Sequence, residues 1–212
     1  MYYILLSDGT KIEVCRHDDS ESTRYVGSLV HNDGTFESTG FGSGRIVATS
    51  SGMATRYFLT DHLGSVRQVV AADGSVIEQN DYYPFGKRWA AVAAPISDNR
   101  HRFSGKEEQA FLSLPYVDFG ARMYNPDWGR WFTQDPLAEK YYPWAPYCYC
   151  INNPVKYVDP NGLDIWEISP TGNITMIKDD KITKISFVNQ KGEETKGYEF
   201  SKMIFRIEKT KI

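Results

Sequence analysis

Two Asp-Pro steps, Asp135-Pro136 and Asp159-Pro160, bracket a stretch crowded with prolines and aromatic rings. Proline fixes its own φ and pushes the residue before it out of the helical region. Both aspartates must therefore sit on stiff, extended corners. The second step opens an Asp159-Pro-Asn-Gly162 turn ahead of Leu163. Corners of this kind suit a reactive backbone site, but they suit any tight turn as well. Spacing alone favours the turn.

The chain ahead of this stretch is punctuated differently. Residues 1–97 alternate apolar and polar positions in short runs separated by glycine-bearing turns. Asp8-Gly9, Asn32-Asp33-Gly34 and Asp73-Gly74 supply the positive φ of tight hairpins. Ile4–Leu6 is expected to pair with Lys11–Val14, Tyr25–Val30 with Thr35–Ser38, and Val66–Ala72 with Ser75–Gln79. Short runs with a period of two predict strands rather than helices. Such hairpins need stacked neighbours to bury their faces.

The Ala-rich segment 90–94, broken by Pro95 and Asp98-Asn99, marks a boundary. Beyond it Arg122 and Arg130 stand among Phe119, Tyr124, Trp128, Trp131 and Phe132. That mixture predicts a compact plug held by cation–π and aromatic contacts. A stacking surface for nucleic acid would use the same residues, but the acids around them argue against one. The net charge of −3 argues the same way for the whole chain. Aromatic residues make up 14 %, with 14 tyrosines, which favours half-wet β structure.

Other residue types exclude more than they suggest. Cys15, Cys148 and Cys150 give no disulfide framework and read as small buried hydrophobes. Asp61-His62, with no nucleophile in view, reads as a turn with a hydrogen-bonded imidazole. His17, His31 and His101 lack the spacing of a metal site, and no cofactor is implied. No segment has the apolar length of a membrane span. Met1–Leu6 is too short for a signal peptide's apolar region and lacks a basic start. Export, if it occurs, is expected through a longer parent protein.

After Leu163 the alternation resumes at Asp164–Ile168, Asn173–Ile177, Ile182–Val188, Tyr198–Phe200 and Met203–Ile207. Nine Lys/Arg face eight Asp/Glu here, and there is no His or Cys. The usual bases and metal ligands of nucleases and deaminases are therefore missing. The expected fold is all-β, in three parts: hairpins over 1–97, an irregular aromatic plug over 98–163, and a β-ribbon tail over 164–212.

Several motifs occur in order. They are Arg102-Phe-Ser-Gly-Lys-Glu-Glu-Gln109, Tyr116-Val-Asp-Phe-Gly-Ala-Arg-Met-Tyr-Asn-Pro126 and Gly129-Arg-Trp-Phe-Thr-Gln-Asp-Pro-Leu137. Tyr147-Cys-Tyr-Cys-Ile-Asn-Asn-Pro154 and Asp159-Pro-Asn-Gly-Leu163 come next. Together they resemble the core-associated region of the RHS (YD-repeat) family of bacterial polymorphic toxins. Tyr57, Asp61 and Gly64 have the cadence of one YD repeat, and a weaker likeness reaches back to about Tyr25.

The resemblance implies a region that plugs the end of a hollow β-repeat shell built from upstream sequence. It also implies an autoproteolytic pair, Asp135 and Asp159, cutting between Leu163 and Asp164 to free a C-terminal toxin payload. An immunity protein would then be a further partner. Pro136, Pro160 and Gly162 would shape the corners, and Arg130, five residues before Asp135, would bias the pair. In such a dyad the carboxylates share a proton, one activating water and the other protonating the Leu163 carbonyl. Which aspartate is the base stays open at this level. The competing reading is a non-catalytic structural or surface-binding β-repeat module in which both Asp-Pro steps are turns. A third makes residues 164–212 an effector that acts by binding.

Overall fold

The computed structural model describes residues 2–7, 10–18, 20–89, 99–109, 114–141, 143–169, 174–176, 183–188 and 204–207. The expected turn at Asp8-Gly9, the boundary segment 90–98 and the run Tyr198–Phe200 lie outside the described residues. The fold is all-β; helical geometry among the described residues is confined to single 3-10 turns.

Nine strands follow one another across the first sheet, each antiparallel to the next. They are β1 (Tyr2–Leu5), β2 (Lys11–Cys15), β3 (Ser22–Val26), β4 (Leu29–Asn32) and β5 (Thr35–Phe41), then β6 (Gly44–Thr49), β7 (Gly52–Thr60), β8 (Val66–Ala71) and β9 (Val76–Gln79). Sequence order equals spatial order because short turns leave no room for a crossover. The Asp73-Gly74 turn sets Val70 opposite Val76, as the alternation predicts. Tyr25–Val30, read as one strand, is in fact two. Gly27 takes φ +60°, so the chain reverses between Val26 and Leu29, which become cross-strand partners. A glycine inside a β run marks a bend as readily as a strand.

The two faces of this sheet differ. Val14, Thr23, Val30, Ser38, Val69 and Glu78 are buried on one. Val26, Leu29, Ile46, Met53, Tyr57 and Val76 are exposed on the other. Cross-strand register carries this division from strand to strand: Val26 opposes Leu29, and Tyr57 opposes Val70.

Residues 99–109, 114–141 and 143–163 cover the buried face. Their own sheet is small: β10 (Glu107–Glu108), β11 (Val117–Asp118), β12 (Met123–Asn125) and β13 (Arg130–Trp131). The core beside it consists of Phe103, Val117, Phe119, Tyr124, Trp131, Tyr149 and Cys150, with Tyr82, Phe85 and Tyr157 packed against it. The rings meet closely; the Tyr124 and Tyr149 centroids are 4.2 Å apart and Phe119 and Trp131 lie edge-on at 5.1 Å. Each such pair adds about 0.5–1.5 kcal/mol beyond its area burial. The guanidinium stacking expected of this region is present, with Arg122 4.2 Å above the Trp131 ring.

The seam between sheet and plug is charged. From the sheet, Lys11 reaches Glu107 at 3.1 Å and Asp118 at 2.6 Å. The Tyr25 hydroxyl donates to Glu107 at 2.9 Å. From the plug, Arg100 pairs with Glu37, and Arg102 forks onto Glu78 at 2.7 and 3.1 Å. Burial of such charges is tolerable only because each finds a partner.

The third sheet joins β14 (Tyr157–Val158), β15 (Trp166–Ile168), β16 (Ile174–Met176), β17 (Thr183–Val188) and β18 (Ile204–Ile207). It crosses the expected division at Leu163, since β14 precedes that residue and β15 follows it. The three cysteines are free and buried. Cys148 makes an isolated antiparallel bridge with Arg130, Cys150 opens a 3-10 turn, and Cys150, Ile151 and Asn152 all take left-handed φ values. Asp61 caps its own turn, its carboxylate accepting the Leu63 and Ser65 N–H groups at 3.0 Å each. The His62 ring bonds the Val155 carbonyl.

Candidate catalytic site

Each Asp-Pro corner is fixed by its own carboxylate. Asp135 Oδ1 accepts the Leu137 N–H at 2.7 Å, and the Asp135 N–H donates to the Pro146 carbonyl at 3.0 Å. Asp159 Oδ1 accepts three backbone N–H groups, from Asn161 at 3.3 Å, Gly162 at 2.6 Å and Leu163 at 3.0 Å. These are the turns that the prolines and the Asx side chains dictate. Folding brings the two corners, 24 residues apart in sequence, to a single guanidinium.

That guanidinium belongs to Arg122. Its Nη1 lies 3.0 Å from Asp135 Oδ2, and its Nη2 donates to Asp159 Oδ2 at 3.1 Å. Its Nε donates to the Gly162 carbonyl at 2.6 Å. The Nη1 contact is an ion pair by distance, without the alignment of a hydrogen bond. Arg122 and Asp159 side chains are essentially inaccessible, and Asp135 is 8 % exposed. The expectation of two carboxylates sharing one proton directly is thus modified, because a cation stands between them.

Arg130, the arginine chosen from sequence, does not do this. It is exposed on β13 and makes no ion pair with either aspartate. Nearness in sequence misled here. The turn Gly120-Ala121 carries Arg122 inward, with the Phe119 N–H bonded to the Arg122 carbonyl and the Ala121 N–H to that of Asn161. An available signal was the small pair Gly120-Ala121 before an arginine in an aromatic surround.

Gly162 is required by geometry. Its φ is +78°, and an added Cβ would lie 2.9 Å from the Arg122 backbone nitrogen. Pro160 presents its carbonyl to Lys106 Nζ at 2.5 Å. The bond between Leu163 and Asp164 comes directly after, with the Asp164 N–H 3.4 Å from Asn161 Oδ1. Downstream, the Tyr141 hydroxyl donates to Asp164 Oδ1 at 3.4 Å and accepts the Ile165 N–H at 3.3 Å. Lys106, Asn161 and Tyr141 were not singled out from sequence.

The electrostatics separate the groups. Burial pushes the Asp159 carboxyl up to about 6, against the opposing pull of Arg122 and the three N–H groups. Burial lowers Lys106, which Asp159 and Asp118 partly counter. A cleft of about 680 Å³ between β1, β2 and the plug reaches Arg122, with Lys11, Lys106 and Asp118 on its walls. The arrangement offers a buried acid, a second carboxylate and a fixed cation close to one peptide bond.

Known proteins share parts of this chain. No family model matches the sequence. Over 114 residues, half of this chain, it is 35 % identical to the double-stranded DNA deaminase toxin A of Burkholderia cenocepacia, 7 % of whose length is covered. Over 111 residues, 51 % of the chain, it is 36 % identical to the toxin subunit YenC1 of Yersinia entomophaga, with 11 % of that protein covered. Salivary gland surface protein 1 of Aedes aegypti shares 37 % identity over 105 residues, 49 % of this chain and 3 % of that one. The chain therefore spans about a tenth or less of these relatives. Among solved structures, the fold is like that of a Photorhabdus luminescens Tc holotoxin pore, with a TM-score of 0.61 and 22 % identity over 76 % of this chain and 9 % of that one. A TcdB2–TccC3 crystal structure gives a TM-score of 0.58 at 23 % identity, with 76 % and 9 % covered.

Proposed function

We propose, for a chain that is an RHS-associated region of the toxin type, that it closes a β-repeat shell and cuts itself once between Leu163 and Asp164. The observation that carries the reading is the position of Arg122, whose guanidinium touches both Asp-Pro carboxylates and the carbonyl one residue before the scissile bond.

The roles follow from the environments. Asp159, whose carboxyl is raised to about 6 by burial, carries the proton and donates it during attack on the Leu163 carbonyl. Asp135 takes a proton from the attacking water. Arg122 holds the Gly162 carbonyl and both carboxylates, so the loop 159–163 keeps its bend while charge develops. Gly162, Pro136 and Pro160 set the backbone.

The shell supplies the enclosure. Among the described residues, strand β1 pairs with β2 alone, leaving an edge at which further repeat strands of the parent polypeptide would add. The parent protein would be exported, and the segment after Leu163 would be its payload, guarded by an immunity partner.

Intact-mass measurement tests the cut. Near-neutral incubation should give fragments ending at Leu163 and beginning at Asp164, and Asp135→Asn or Asp159→Asn should each abolish them. Glu139→Gln, at an exposed acid outside the site, should cleave normally. A fragment beginning at Pro160 would be acid scission of the Asp-Pro bond and would count against the mechanism, as would an uncut wild-type chain.

A further inference from the structure

We propose that Asn161 is a site of self-modification: the Gly162 nitrogen closes on the Asn161 side-chain amide to form a succinimide, with Asp159 as the base. The ring then opens to isoaspartate and disables the cut. Ring closure stands on its own geometry; its effect on cutting rests on the self-cleavage proposed above.

The Asp159-Pro-Asn-Gly162 turn holds the one Asn-Gly step in the chain. A glycine after asparagine lets its nitrogen approach the side chain freely, because no Cβ crowds it. The contacts around this step match what ring closure needs. The Gly162 N–H donates to Asp159 Oδ1 at 2.6 Å, so a carboxylate is in place to take its proton. Losing that proton moves charge onto the Asn161 main-chain oxygen, which accepts the Ala121 N–H at 3.1 Å. Attack at Cγ moves charge onto Asn161 Oδ1, which accepts the Leu163 N–H at 3.1 Å and the Asp164 N–H at 3.4 Å. Asn161 is itself exposed, so ammonia can leave and water can enter.

In the step, the Gly162 nitrogen bonds to Asn161 Cγ and its proton passes to Asp159. The Cγ–Nδ2 bond breaks, Nδ2 recovers that proton, and ammonia departs. Water then opens the ring at the Asn161 main-chain carbonyl carbon. Cγ stays as the new peptide link, and the old main-chain carbon becomes a free carboxylate. The main chain thus gains a methylene two residues ahead of Leu163. The bend that brings the Gly162 carbonyl to Arg122 at 2.6 Å and the Leu163 N–H to Asp159 at 3.0 Å cannot survive the extra length.

Asp159 gives the loop two exclusive fates. As an acid it serves hydrolysis of Leu163–Asp164; as a carboxylate it serves ring closure. Its charged and titratable neighbours are Arg122 at 3.1 Å, Asp135 on the far side of that guanidinium, Lys106 on the Pro160 carbonyl, and the Cys150 thiol. Burial outweighs the cations and holds the carboxyl at about 6, so the two fates exchange there.

The test uses the Asp135→Asn chain, in which the cut is removed, incubated folded between pH 5 and pH 8.5 and, in parallel, unfolded in urea. Peptide mapping should place isoaspartate, with the mass gain of an amide-to-acid exchange, at residue 161. The folded rate should climb to about pH 7 and then level as Asp159 becomes fully ionised, whereas the unfolded rate keeps climbing with hydroxide. Adding Asp159→Asn should slow the folded chain about tenfold or more at pH 7; the pH profile decides if that variant does not fold. An Asn161 that stays intact while the unfolded chain converts, or a folded profile that follows the unfolded one, overturns the modification. Wild type held at pH 8 and returned to pH 5.5 should lose self-cleavage in proportion to the converted fraction. Converted chains that still cut overturn the link; unconverted chains that never cut sink the proposed hydrolysis instead.

Discussion

Replacing Arg122 with methionine isolates what the guanidinium contributes. Methionine fills much of the same space above Trp131 but leaves the Asp135 and Asp159 carboxylates facing one another without a cation. Both ion pairs are near 3 Å, and the three side chains are at most 8 % exposed, so solvent screens them little. At an effective dielectric of about 20, each pair has a gross attraction of about 5 kcal/mol. Most of that only offsets desolvation. The loss on removing one partner of a buried group is about 3–5 kcal/mol, because the remaining charges have nowhere to go. Protonation relieves them, and this fixes the sign with pH. In the variant the Asp159 carboxyl, already raised by burial, loses the Arg122 charge that holds it down and rises further above the ordinary 3.8. The penalty is then absent below that value and grows as pH rises through it. Urea denaturation at pH 7.5, on chains whose integrity is checked by mass, should show the loss of about 3–5 kcal/mol, and the gap from wild type should shrink toward pH 4. A loss under about 1 kcal/mol, the range of an exposed ion pair, or a gap independent of pH would refute the reasoning.

Two more outcomes rest on the same geometry. The rate of self-cleavage should fall about tenfold per pH unit above about 6, since Asp159 must hold its proton to act as the acid; a rate that stays level to pH 8 would assign the proton elsewhere. Gly162→Ala should destabilise the chain by about 1–3 kcal/mol and stop cleavage, because a left-handed φ and a 2.9 Å approach to the Arg122 nitrogen both oppose a Cβ. Gly42→Ala, where a Cβ meets open space, is the control that should change neither melting nor cutting.

The strands were legible because their signals are local. An Asp-Gly pair between alternating runs fixes turn and register together, as Asp73-Gly74 does for β8 and β9. Gly27 defeated the same logic, since Tyr25–Val30 alternates well enough to hide a reversal in its middle. The aspartate corners were legible for the same local reason. What joins them was not, because a side chain's partner is decided by packing. Arg122 and Arg130 both stand near aromatic residues, and in sequence only the small pair Gly120-Ala121 before Arg122 sets them apart. Only the turn at 118–122, seated by the Asp118 carboxylate on the Gly120 N–H at 2.8 Å, sends one inward and leaves the other on the surface. The pairing of β14 with β15 was hidden because the Asp-Pro-Asn-Gly turn reads as a full stop. It is the bend of a hairpin.

The charged seam between the nine-stranded sheet and the plug has a consequence for assembly. An oily joint holds equally well after sliding by one strand, because methyl groups are interchangeable. Lys11, Glu37 and Glu78 are not interchangeable, and they stand on β2, β5 and β9, at different distances across the sheet. Neighbouring strands lie about 4.8 Å apart, so displacing the plug by one of them would misplace all three pairings at once. On a sheet of nine successive antiparallel strands, where neighbouring seats look alike to a hydrophobic surface, these ions act as index marks. They tell the plug which strands it belongs on.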